Sequence, residues 1–75
     1  MNNEYEKRVG ANIRRCREER GLTQEELSAR MQTCGCDMTR SALAKIEVGQ
    51  RHIYVDELKL IKQLLDIDYS VLLED

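Results

Sequence analysis

The chain has 75 residues, 41% hydrophobic and 35% charged, with four Gly, no Pro, Trp or Phe, and a formal net charge of −2 at pH 7. That composition excludes collagen-like, disulfide-scaffold and membrane-spanning classes, because no apolar run approaches the ~18 residues of a bilayer span. One thin-cored domain over residues 1–75 is expected, since so short a chain hides only roughly 60% of its unfolded surface.

β-branched residues are scattered and no period-2 run lasts, so the pattern predicts an all-α string of short helices. The first should run from about Tyr5 to Arg20. At about 100° per residue, Tyr5, Val9, Ile13 and Cys16 fall within roughly 80° and make a core stripe. Arg17 flanks that stripe, while Arg14, Arg15, Glu18 and Glu19 face away. Gly21 supplies a left-handed stop. Thr23-Gln24-Glu25-Glu26 is a capping box that opens a second helix, with Leu27 and Met31 buried and Leu22 stapling the start. Gln32 to Asp37 has no apolar period and reads as a connection.

Thr39 caps a third helix, Arg40 to Val48, ended by Gly49. With Arg40 at 0°, Ala44, Ser41 and Lys45 fall between roughly 40° and 140°, and Ala42, Ile46 and Leu43 between roughly 200° and 300°. One side packs; the other is polar, basic and short-chained. Gln50 to Tyr54 is a loop carrying Arg51 and His52. A fourth helix spans Val55 to Leu65, with Leu58, Ile61 and Leu65 as its stripe and Leu60 and Leu64 widening it. Tyr54 stands where a small polar cap is usual. A short fifth helix follows Asp68, packing Val71, Leu72 and Tyr69. The wide apolar face of Leu60 and Leu64, with Tyr69 and Val71, suggests a dimer seam.

The three cysteines, Cys16, Cys34 and Cys36, fit no complete disulfide set and are expected as free thiols. Cys16 lies on the core stripe. Cys34-Gly35-Cys36 hints at metal or redox chemistry, but structural zinc needs four ligands, and His52 and Cys16 are distant. No metal or cofactor is expected. No signal segment is present, so the expected location is cytoplasmic. Residues 1–53 carry ten Lys+Arg against eight Asp+Glu, and residues 54–75 carry two against six. The acidic excess sits in the last third.

A capped second helix turning into a third with small and basic outward side chains is a helix-turn-helix arrangement. The major groove admits one α-helix, and the second helix would offer its free amides and dipole to a phosphate. The runs Gly21-Leu22-Thr23-Gln24-Glu25-Glu26-Leu27, Met38-Thr39-Arg40-Ser41 and Lys45-Ile46-Glu47, then Gly49 and Arg51, closely resemble the phage-repressor-like (Cro/C1 or XRE) helix-turn-helix family. Leu58, Ile61 and Leu65-Asp66-Ile67 extend the likeness, which covers about residues 9–73.

The resemblance implies a compact five-helix bundle of the lambda-repressor-like DNA-binding type. It also implies roles. Arg40, Ser41, Ala44 and Lys45 would meet base edges. Gln24 would contact a phosphate and brace the third helix, with Thr23, Thr39, Arg51 and His52 also on the backbone. Glu47 would pair with Arg17. The implied function is a sequence-specific transcriptional regulator, binding double-stranded DNA as a homodimer on a pseudo-palindromic operator. No membrane partner or small-molecule ligand is expected. Because the chain ends directly after the fifth helix, a separate effector or dimerisation domain is not expected either.

Within the regulator class, an antitoxin and a restriction–modification controller share this domain; alternatives from other classes are a protein-interaction module on the same fold and a thiol or metal sensor. No nucleophile–base set or phosphate loop marks an enzyme. One departure stands out. Gln32 to Asp37 fills a turn that the family commonly makes with a single Gly, which leaves the angle between the second and third helices open.

Overall fold

Each helix begins and ends on a signal that its own residues supply. The computed structural model describes residues 3–75 and holds α1 (Asn3–Glu19), α2 (Gln24–Thr33), α3 (Arg40–Glu47), α4 (Val55–Leu65) and α5 (Tyr69–Leu72), with no strand among the described residues. The Thr23 hydroxyl accepts from the Glu26 amide and the Glu26 carboxylate accepts from the Thr23 amide, both at 3.0 Å, so the capping box is complete. Hydrogen bonding to the Thr23 backbone amide first, and then to the Thr23 side chain, holds the Glu26 carboxyl below its ordinary value. Thr39 caps α3 through the Ala42 amide at 3.0 Å. At α4 the Tyr54 side chain makes no cap; instead the Glu57 carboxylate accepts from the Tyr54 amide.

The ends of α1 to α4 share a pattern, in which a residue within two positions of the helix end adopts positive φ and two amides turn back onto the last carbonyls. At α2, Gly35 (φ 87°) donates to the Gln32 carbonyl and Cys36 to that of Met31. At α4 the same position is held by Asp66 at φ 53°, a conformation that a side chain other than Gly's disfavours. The connection between α2 and α3 is therefore shorter than expected. Gln32 and Thr33 complete α2, and Gln32 donates from its side chain to the Met38 carbonyl at 2.7 Å.

The core is Val9, Ile13, Cys16, Leu27, Met31, Met38, Leu43, Ile46, Ile61, Leu65 and Leu72. Tyr5 does not join it. That side chain is 38% exposed, and its hydroxyl donates to the Leu73 carbonyl at 3.4 Å. The buried side of α1 holds Gly10, Asn12 and Arg17 as well as aliphatics. A Cβ on Gly10 would collide with the Ile46 carbonyl, so the bare backbone lets α1 and α3 approach closely. Asn12 donates to the Leu72 and Glu74 carbonyls, satisfying the end of α5. Arg20 does the same for α4, reaching the carbonyls of Leu65 and Asp66.

The expected dimer seam is largely spent internally. Leu60, Leu64 and Val71 are half-buried against the core, and only Tyr69 is open, with the Lys62 ammonium 5.5 Å from its ring centre. Among the described residues no helix is long and apolar enough to cross a membrane.

Candidate nucleic-acid interface

Glu47 fixes how α2 and α3 meet. It lies in the last turn of α3 and is 3% exposed. Arg17 of α1 donates to both its carboxylate oxygens, Nε at 2.7 Å and Nη2 at 2.9 Å. The Gln24 amide, at the start of α2, donates to the same group at 3.0 Å. A third guanidinium bond reaches the Leu22 carbonyl between α1 and α2 at 2.7 Å. One carboxylate thus joins three helices. The pairing also holds the Arg17 guanidinium above its ordinary pKa despite burial. Together with Gln32 on Met38, in the segment leading into α3, these bonds tie both ends of α2 to α3 or its lead-in.

That frame turns one side of α3 outward. Arg40, Ser41 and Lys45 are exposed and Ala44 is half-buried, while Leu43 and Ile46 on the other side are fully or almost fully buried. Helix geometry leaves the Gln24 and Glu25 amides of α2 without intrahelical acceptors. Beside them lies an open depression lined by Arg14, Arg17, Glu18, Thr23, Gln24, Glu25 and Arg40. Arg17 is spent on Glu47, so Arg14 and Arg40 are the cations that, with the helix start, suit an anion here. Arg14 is the residue here that its sequence position concealed: its place on the outer face of α1 reads as solvated. It pairs with Glu18 only at 3.6 Å, both side chains more than half exposed, which is a weak tie.

The remaining expected residues have their polar groups partly committed. The Thr23 and Thr39 oxygens accept cap bonds, which leaves each hydroxyl hydrogen to donate elsewhere. Arg51 does not stand free in its loop. Its guanidinium donates to both Glu57 oxygens, at 3.0 and 3.2 Å, and to the His52 carbonyl at 2.9 Å. It also lies 5.8 Å from the Tyr54 ring centre. Burial pushes the Glu57 carboxyl up, but the Arg51 and Tyr54 hydrogen bonds outweigh that and hold it below its ordinary value. His52 is exposed and its Nδ1 lies 2.8 Å from a Glu6 oxygen, which ties the loop to α1. Among the described residues no group of three or more His, Cys, Asp or Glu is placed to hold a metal ion.

A family model described as helix-turn-helix matches residues 13–72. The fold is similar to the crystal structure of the DNA-binding domain of BldD, with TM-score 0.82 and 25% identity over 97% of this chain and 99% of that one. No curated protein matches the sequence. With the matched region running from the core of α1 to the end of α5, the chain belongs to the Cro/C1-type helix-turn-helix family.

Proposed function

We propose that this protein is a cytoplasmic, sequence-specific regulator of transcription that lays α3 in the major groove of double-stranded DNA. The observation that carries this reading is the exposed Arg40, Ser41 and Lys45 on a helix whose other side is buried, beside the open amides of α2. The similar BldD domain is named for DNA binding, and the family is one of binding modules rather than catalysts.

In this reading Arg40 and Lys45 donate to guanine N7 and O6, Ser41 adapts to either partner, and Ala44 lets the helix approach. Each good bidentate contact adds roughly 1–3 kcal/mol of discrimination. Gln24, Thr23 and Thr39 contact phosphates, and Arg14 joins them. Arg51 contributes its remaining N–H groups and His52 its outer ring nitrogen. Phosphate contacts set register and bases set sequence.

The homodimer belongs to the proposal on energetic grounds. One small module makes few base contacts, and two copies on half-sites one helical turn apart roughly combine their recognition energies. Selection of bound duplexes from a random pool tests the whole reading. The expected product is a pair of inverted half-sites centred about 34–36 Å apart. A lone half-site would overturn the dimer, and a pool that never enriches would overturn the function.

A further inference from the structure

The three thiols occupy three different environments. Cys16 is 2% exposed in the core, Cys34 is exposed at the end of α2, and Cys36 is half-buried against the core. Gly35 stands between the last two at φ 87°, with open space around it. Residues flanking a single turn residue are two Cα–Cα steps of ~3.8 Å apart along the chain, and the tight turn at Gly35, closed by the Gly35 and Cys36 amides on the Gln32 and Met31 carbonyls, draws them toward the ~4.4–6.8 Å that a disulfide spans. Both cysteines line one open depression, together with Tyr54, Asp37 and Asp56, so a small reagent that reaches one reaches the other.

We infer that Cys34 and Cys36 are a modification site, a reversible dithiol–disulfide pair that takes low-molecular-weight disulfides and remodels the turn between α2 and α3. The Cys34 thiolate attacks one sulfur of the reagent disulfide, forming a mixed disulfide and releasing one reagent thiol. Cys36 then gives up its proton to solvent and attacks the Cys34 sulfur, expelling the second reagent thiol. Two protein thiols are oxidised and one reagent disulfide is reduced.

The two cysteines divide the roles by environment. Burial, then the carboxylates of Glu57 and Asp56, push the Cys36 thiol up, so it resolves rather than initiates. Closing the bond also has a structural consequence. Cys36 packs inward and Cys34 outward, so Cys36 must swing away from the core. That movement breaks the Cys36 amide bond to Met31 (3.0 Å), which ends α2, and the Met38 amide bond to the Cys36 carbonyl (2.8 Å), which leads into α3. A disulfide formed against native packing is strained, which is the easily reduced kind. The effect on DNA rests on the function proposed above; the bond itself does not.

The test is to incubate the folded chain with oxidised glutathione at neutral pH, quench, and map the peptide spanning residues 31–40 by mass. The expected product is that peptide two hydrogens lighter, restored by dithiothreitol, with Cys16 alkylated only after denaturation. A lasting glutathione adduct on Cys34, or two thiols left free, would overturn the pair. In the second arm, oxidation should lower the affinity for a selected duplex by about fivefold or more, the low end of ordinary site-to-site coupling, and Cys34→Ser should abolish that sensitivity. Equal affinity in the oxidised form would overturn the remodelling. If neither form bound any duplex, the DNA reading would fail while the mass result stood.

Discussion

Substituting Gly10 by Ala sets two physical effects against each other. Gly10 lies inside α1, and replacing an interior helical Gly with Ala ordinarily stabilises by roughly 0.5–1 kcal/mol. The structure opposes that gain. A Cβ at this position would fall well inside contact of the Ile46 carbonyl oxygen and 3.0 Å from the carbonyl carbon and oxygen of Glu47. These are backbone atoms, so no side-chain rotation relieves the clash, and α3 must move away from α1. Overpacking of this kind costs about 1–3 kcal/mol, and the displaced segment carries Glu47, whose bonds to Arg17 are 2.7 and 2.9 Å long. The net expectation is a loss of about 1–2 kcal/mol, a large share of the roughly 4–11 kcal/mol that a chain of this size holds. Thermal unfolding followed by circular dichroism should show the midpoint falling by about 5–15 °C. Ala11 is exposed on the same helix, so Ala11→Gly measures the propensity effect alone. A Gly10→Ala midpoint that rises by as much as Ala11→Gly lowers it would refute the close approach.

Other perturbations probe separate parts of the frame. Glu47→Ala strands the buried Arg17 guanidinium and should cost about 3–5 kcal/mol in urea denaturation, whereas Arg17→Met with Glu47→Leu should lose far less; equal losses would argue against a stranded charge. The Glu57 carboxyl titrates below its ordinary value of 4.5, so its contribution is present above that pH and disappears as the pH falls through the folded value. Glu57→Gln should therefore flatten the fall of stability on the acid side, and an unchanged slope would contradict the Arg51–Glu57 assignment. Asp66→Gly should stabilise by about 0.5 kcal/mol, because relief of the left-handed strain exceeds the added chain entropy. The Arg20 bond to the residue 66 carbonyl survives that change, so a destabilised variant would show that the Asp66 side chain has a role of its own.

The parts of the fold legible in the sequence were those written in local patterns. The Thr23 and Thr39 caps, the glycine stops, and the i, i+4 pair of Leu27 and Met31 each act within a turn or two. The end of α2 was misplaced because Gln32 and Thr33 are polar and carry no period, although Gly35 already marked the stop. Asn12 and Arg20 were not recognisable as ligands of helix ends, since their partners lie 45 to 62 residues away and are backbone carbonyls, which every residue has. Gly10 was silent for the same reason: the close approach exists only once α3 is in place. At the candidate interface, helical spacing was enough to group Arg40, Ser41 and Lys45. It could not tell that Arg51 and His52 would be held by Glu57 and Glu6, or that Arg14 would share a depression with Arg40.

The most direct test of the reading surface is fluorescence anisotropy with a selected duplex and a scrambled one, across a salt series, for the wild-type chain and Arg40→Ala. The logarithm of the wild-type affinity should fall linearly with the logarithm of salt on both duplexes. Arg40→Ala should shrink the preference for the selected duplex by about 5-fold or more, the lower end of what one lost base contact removes, with its unfolding midpoint unchanged. A variant that lost affinity equally on both duplexes, or a wild-type chain indifferent to salt, would contradict the account.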